Sequence, residues 1–410
     1  MRVRESINQV AAGVIGVVAL AVLGAHDGVA GSTETSSDPE ASPGVTIEAT
    51  TSFGWTIHEQ VENGLVQAGS SDPADDVASG FVFRQGRVAL RYVADGGAIE
   101  GLVRLRLEER ADIIDFWGSY RPDPMVLISI GQMKIPSTGE VLMSDDRLDF
   151  ITRSTFGGVV CDYSLLRTPY VSPVMASKSY NRDLGVALRA EWPPGSPRLD
   201  GFVVVGNGLG AGRYIGGSDS EEFLYTNSFG DFFYGARIEA RPLCWSAMPA
   251  KDLVVGVHGS LNRHENVAMS TRGPVFDIDR QTWSVDLEAA LPWRQRVYGF
   301  FGSGEMDDDW GTARYLYSFS GWGLSTFWKP APLPLELGVR YDEFTGGYDQ
   351  VEDEVAQRHW TFGWNWRPRV PLRLQLNYVR KEMVSDGDPD LKDDILFLNV
   401  QFTFAAEPER

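Results

Sequence analysis

Residues 45–57 read V-T-I-E-A-T-T-S-F-G-W-T-I. Val45, Ile47, Phe53, Trp55 and Ile57 fall on one parity, and Thr46, Glu48, Thr50, Ser52 and Thr56 on the other. In an extended chain successive side chains point to opposite faces, so this pattern predicts a strand with one apolar and one polar face. Its length decides between architectures. Strands of soluble sandwiches run to about five or six residues, whereas a tilted strand that crosses a bilayer needs about nine to eleven. The stretch points to a transmembrane barrel.

The same period of two recurs along the chain. After 45–57, strands are predicted over 81–93, 97–108, 112–121, 125–133, 182–192, 198–207 and 229–241. The second half continues with 251–263, 280–291, 294–305, 313–328, 333–344, 357–367, 371–381 and 394–404, for about sixteen in all. Clear members are Val103, Leu105, Leu107 against Arg104, Arg106, Glu108, and Trp283, Val285, Leu287 against Thr282, Asp286, Glu288. Short, proline-marked links such as 122–124, 292–293 and 368–370 alternate with longer segments such as 134–181, 208–228, 264–279, 345–356 and 382–393. Outer-membrane barrels alternate short periplasmic turns with longer external loops in this way; with both termini taken in the periplasm, an even strand count makes nearly every short turn periplasmic and nearly every long loop external. Tyr92, Tyr120, Trp192, Tyr298, Trp328 and Tyr378 lie near strand ends and suit interfacial aromatic belts.

The ends of the chain read separately. Arg2 and Arg4 precede an apolar run over 10–25, and Gly28-Val29-Ala30 offers small residues before a cut, so residues 1–30 are expected to be a signal peptide. Residues 31–44, rich in Ser, Thr and Pro, are expected to be a disordered leader. The barrel is expected to occupy 45–404, with a short tail over 405–410. Beyond the signal, no run of eighteen apolar residues exists to form a spanning helix. Two cysteines, Cys161 and Cys244, are too few for a disulfide scaffold, and whether they pair is left open. A net charge of −19 excludes a nucleic-acid partner, whose phosphates need a basic surface. It is compatible with a barrel carrying acids on its loops and in its lumen.

The connection 134–181 is the third external loop and the longest; Phe150, Ile151, Phe156, Val159, Val160 and Tyr163 give it enough apolar surface to pack inside the lumen. Here the sequence resembles a known family. The run Gly131-Gln132-Met133-Lys134-Ile135-Pro136, followed by Ser144 to Ser154 with Phe150 and Arg153, is similar to the phosphate-selective porin O and P family. Phe83-Arg84-Gln85-Gly86-Arg87-Val88, Asp183-Leu184-Gly185-Val186 and Tyr234-Gly235-Ala236-Arg237-Ile238 extend the likeness along most of the chain. The resemblance implies a sixteen-stranded trimeric porin whose third loop narrows the pore and whose lumenal bases draw anions. The loop itself carries five bases and five acids, a balance that does not predict phosphate selectivity.

Candidate pore residues follow from loop and parity. Lys134, Arg147 and Arg153 lie on the third loop or its start. Arg87, Arg91, Arg104, Arg106 and Arg121 take the lumenal parity of the second to fourth strands; Asp286 and Glu288, with Glu336 and Asp342, take it on the tenth and thirteenth. Two readings stay open: a basic wall facing an acidic one, or charges that pair across neighbouring strands. His58-Glu59 and His264-Glu265 lack a second histidine at zinc-binding spacing, and Asp386 to Asp390 starts a calcium-like loop with Leu391 where glycine is needed. No metal, cofactor or catalytic group is therefore expected. The function expected is passive diffusion of small hydrophilic solutes and inorganic ions, anions such as phosphate among them, through the outer-membrane lipid. A lipase-like barrel hydrolase and a secreted glycan-binding β-sandwich are the alternatives.

Overall fold

The computed structural model describes residues 44–58, 80–107, 112–143, 147–158, 182–192, 198–206, 232–241, 252–268, 275–309, 314–330, 332–348, 354–368, 371–385 and 388–406. Sixteen strands form. They are β1 (Gly44–His58), β2 (Gly80–Ala94), β3 (Ile99–Arg106), β4 (Asp112–Asp123), β5 (Val126–Lys134), β6 (Arg182–Trp192), β7 (Arg198–Gly206) and β8 (Phe233–Arg241). Then follow β9 (Asp252–Ala268), β10 (Val275–Leu291), β11 (Gln295–Asp309), β12 (Arg314–Trp328), β13 (Leu335–Tyr348), β14 (Glu354–Trp366), β15 (Leu372–Ser385) and β16 (Asp388–Ala406). A helical turn, α1 (Gly139–Leu142), lies in the third loop, and a second follows over 155–158.

Each strand pairs antiparallel with its neighbours in sequence, and β1 pairs with β16 from Ile47↔Ala406 to His58↔Ile395, which closes the barrel. Closure satisfies every ladder and leaves no edge, the condition for a sheet to lie in hydrocarbon. The sandwich alternative is thereby overturned.

The parity read from the sequence becomes the two faces of the wall. Trp283, Val285 and Leu287 are exposed outward, whereas Thr282, Ser284 and Asp286 are buried inward. Outward aromatics touch across strands, with ring centroids 5.1 Å apart for Trp322 and Tyr341 and 4.8 Å for Tyr341 and Trp360. Tyr92, Tyr120, Trp328 and Tyr378 join this outer surface. Tyr298 does not: its hydroxyl points inward and accepts a hydrogen bond from the Glu140 backbone N–H at 3.2 Å. On β11 both parities are apolar (Val297 and Phe301 outward, Tyr298 and Phe300 inward), so alternation gave no direction there.

Most predicted strand limits agree within a few residues. The external ends of β9 to β11 and of β13 to β16 run further, into 264–268, 275–279, 306–309, 345–348, 354–356, 382–385 and 388–393. Above the hydrocarbon both faces meet water, so hydrophobic alternation fades while the ladder continues. Outward Asp279 and Asp307 pair there with Arg263 and Arg314. The C-terminal strand also reaches Ala406, two residues past the expected end at 404. The expected signal peptide, most of the leader, Cys161, Cys244, residues 159–181 of the third loop and the side chains of His58 and His264 lie outside the described residues.

Candidate functional site

From the end of β5 the third loop turns inward and follows the inner wall from β8 towards β16. Ile135 packs on Phe233 of β8. The Ser137 carbonyl accepts a hydrogen bond from Arg237 of β8 at 2.8 Å, and the same guanidinium holds both carboxylate oxygens of Asp286 on β10 at 2.6 and 2.8 Å. Thr138 then caps α1, its hydroxyl accepting from the Val141 N–H at 3.4 Å. Threonine suits that role because its side-chain oxygen satisfies an amide that a helix start leaves unpaired.

Two of the candidate pore cations bond to carbonyls of α1. Lys134 Nζ donates to the carbonyls of Val141, Leu142 and Met143 at 3.0, 3.1 and 2.6 Å. Arg153 donates to the carbonyls of Glu140 and, at 2.9 Å, Met143. The last carbonyls of a helix carry partial negative charge and attract cations. A cation in a loop has the same appearance in sequence whether it faces water or its own backbone. Among the described bases of the loop, Arg147 stands exposed.

Buried Glu140 joins the two halves of the loop. Its carboxylate accepts from the Ser154 N–H at 2.9 Å and hydroxyl at 2.5 Å, and lies 3.4 Å from Arg340 of β13. Arg340 also donates to the carbonyls of Thr152 and Arg153 at 2.9 and 3.1 Å, and its Nε lies 3.1 Å from Asp342. Asp342 in turn accepts from the Thr155 N–H at 2.8 Å. Further round, Asn365 Nδ2 donates to the Asp149 carbonyl at 2.8 Å, Asn377 Oδ1 accepts from the Ile151 N–H at 3.3 Å, and Arg84 of β2 donates to the Ile151 carbonyl at 3.1 Å. Between loop and wall, beside Met143, Asp149, Arg296 and Tyr298, a cavity of about 30 Å³ remains.

The remaining candidate charges divide by height and partner. Arg91, half exposed, pairs with Glu100 at 2.8 Å, and Arg121 donates to the Pro124 carbonyl at 3.0 Å in the β4–β5 turn; both sit at the short-turn end of the barrel. Arg104 and buried Arg182 flank Asp115 at 2.8 and 2.6 Å. Arg87 and Arg106 are buried cross-strand partners on β2 and β3. Opposite, Asp286 is paired with Arg237, while Glu288 and Glu336 share Arg296 at 3.7 and 3.6 Å, with Asp149 of the loop on the same guanidinium at 2.6 Å. Cross-strand pairing therefore takes up much of the charge that parity assigned to opposing walls.

Thr155, His359 and Asp342 form a hydroxyl–imidazole–carboxylate group, but not a catalytic relay. The Thr155 hydroxyl and Asp342 both address Nδ1 of His359, at 2.7 and 3.7 Å, whereas a relay uses both ring nitrogens.

Sequence reading did not single out Arg237, Asn365, Asn377 or Arg373, whose guanidinium donates to the Leu148 carbonyl, as loop contacts. Their signal was present as polar residues on the inward parity, but parity alone does not say which part of a wall meets a loop.

No protein-family model matches the chain, and no curated protein matches it. Solved structures do. OmpT in its trimer form, an outer membrane protein of Vibrio cholerae, superposes with a TM-score of 0.56 at 10% identity, covering 89% of this chain and 100% of its own. The fold is that of the outer-membrane porins. An anion-selective porin from Comamonas acidovorans aligns with a TM-score of 0.55 at 11% identity over 88% of this chain and 100% of its own. DcaP, an outer membrane channel of Acinetobacter baumannii, gives 0.53 at 12% identity over 91% and 100%.

Proposed function

We propose that this chain is an outer-membrane porin of a Gram-negative-type envelope through which small hydrophilic solutes and inorganic ions diffuse passively. One observation carries the reading: a closed sixteen-strand barrel, apolar outside and polar inside, holds a long loop against its inner wall. A lipid-facing sheet must close on itself, and an inward-folded loop in such a barrel controls what passes.

Anions such as phosphate are the proposed favoured class, on two grounds. The segment 131–154 resembles the phosphate-selective porins, and Arg147 stands exposed on the loop, while β2 to β4 carry a set of inward arginines. A homotrimer, as in the OmpT neighbour's trimer form, is the proposed assembly.

The test is planar-bilayer recording of the purified protein under salt gradients. Discrete ion-conducting steps are expected, and their absence in a correctly folded barrel would remove the porin reading. A reversal potential on the anion side, shifted towards zero by neutralising Arg87, Arg91, Arg104 and Arg106 together, would support anion preference. An unshifted potential would refute the role of those arginines.

A further inference from the structure

We propose that Phe150 and Phe156 set the width of the pore, each as a knob seated on a pair of facing glycines in the wall; the proposal rests on the channel reading above. Gly302 of β11 lies directly opposite Gly321 of β12, and Gly338 of β13 directly opposite Gly363 of β14. All four lie on the inward parity. Glycine weakens a strand interior, and its presence there often marks close approach by another group.

Here the approaching groups are the two loop phenylalanines. A Cβ on Gly321 would lie 2.8 Å from the Phe156 side chain, and one on Gly302 would also collide with that ring. A Cβ on Gly363 would lie 2.8 Å from the Phe150 ring, and one on Gly338 would lie 2.6 Å from the Phe327 ring and 3.2 Å from Phe150, so Phe150 and Phe327 share that second glycine. Phe156 therefore rests on bare backbone at Gly302 and Gly321, and Phe150 at Gly363, where any other residue would lift the ring towards the lumen.

The rest of the wall frames these seats. Phe300 and Phe319 cover the neighbouring glycines Gly323 and Gly304, and both border Phe156, with ring centroids 5.6 and 6.4 Å from it. Phe327 borders Phe150 at 4.8 Å, and Arg340 lies over that ring at 4.9 Å. Phe156 is wholly buried, and Phe150 nearly so. Aromatic rings laid on strand glycines recover packing that the glycines lack. Ile151, between the knobs, adds a third contact on Val379, Ile395 and Phe397.

Phe150 and Phe156 are thus positioning residues for solute passage. They hold the loop flush with β11 to β14, and the thickness of that layer subtracts from the open cross-section. Hydrogen bonds fix the loop along the wall; the knobs fix its depth.

The test uses the full-length barrel in planar bilayers, with heat-modifiable migration confirming closure. Phe156→Ala is expected to raise single-channel conductance by releasing the segment. Gly321→Leu is expected to lower it by pushing the ring into the lumen. The double variant, in which leucine refills the space from the wall side, is expected to return towards the parent value. Closed barrels in which both single variants conduct as the parent does would overturn the proposal, as would shifts in the same direction.

A second readout does not depend on conduction. In a Cys161→Ser, Cys244→Ser background, Thr155→Cys with Asp342→Cys is expected to cross-link readily, and adding Phe156→Ala to reduce the yield sharply. An unchanged yield would overturn the seat. A parent that cross-links but does not conduct would instead overturn the channel reading alone.

Discussion

Arg340 is the residue whose loss should most clearly separate the loop from the barrel. Replacing it with methionine keeps the volume of the stem but removes the cation between Glu140 and Asp342, both buried, and two of the bonds to loop carbonyls. Breaking a buried pair in this way costs about 3–5 kcal/mol, because the surviving charge stays desolvated and unpaired. Asp342 keeps its bond from the Thr155 N–H and Glu140 its two from Ser154, which favours the lower end. A loss of about 3 kcal/mol, at about 1.4 kcal/mol per tenfold, shifts the docked-to-released ratio by roughly two orders of magnitude.

The assay is open-channel noise together with the urea midpoint of the barrel. Noise and mean conductance should rise in Arg340→Met, while the midpoint should move little, since the ladders of β12 to β14 do not use the guanidinium. The triple variant Arg340→Met, Glu140→Gln, Asp342→Asn should recover quiet traces, as no buried charge is left without its partner. A single variant as quiet as the parent, or a triple variant noisier than the single, would refute the argument.

Three further outcomes are expected. Asp115→Asn removes the buried carboxylate that Arg104 and almost fully buried Arg182 share and should lower barrel stability by about 3–5 kcal/mol; equilibrium unfolding in detergent with no shift would count against that. Val285→Arg, on the lipid face, should cost about 2–4 kcal/mol when folding into bilayers, whereas Asp279→Arg near the external rim should cost about 0–1 kcal/mol; equal costs would misplace the membrane band. In the β10–β11 turn Trp293 and Arg294 both take positive φ, 62° and 60°. Arg294→Gly should therefore stabilise by about 1 kcal/mol, read as slower unfolding, and a faster rate would show that the arginine side chain has an offsetting role.

The barrel was legible in the sequence because a lipid-facing strand repeats one simple physical rule over its whole length, as in 45–57 and 280–291. Where the rule lapses, so did the reading. The upper parts of β9 to β16 stand in water on both faces, and β11 is apolar on both, which hid the direction of Tyr298. The pore charges were harder, since Lys134 and Arg153 bond to carbonyls of their own loop and parity carries no information about that. A usable signal did exist for the loop seat. Phe300, Phe319 and Phe344 share the inward parity, and an apolar group turned towards a polar lumen implies something apolar to cover it.

The position of the seat also orders events in assembly. The third loop emerges early in the chain, yet its partners on β11 to β16 come late: Ile151 and Asn377 are 226 residues apart. Partners so distant meet slowly, because the intervening chain must be ordered first. The start of the loop can rest on β8, but the C-terminal half of the wall has to exist before residues 148–156 have anywhere to seat, so the aperture is the last dimension of this barrel to be decided.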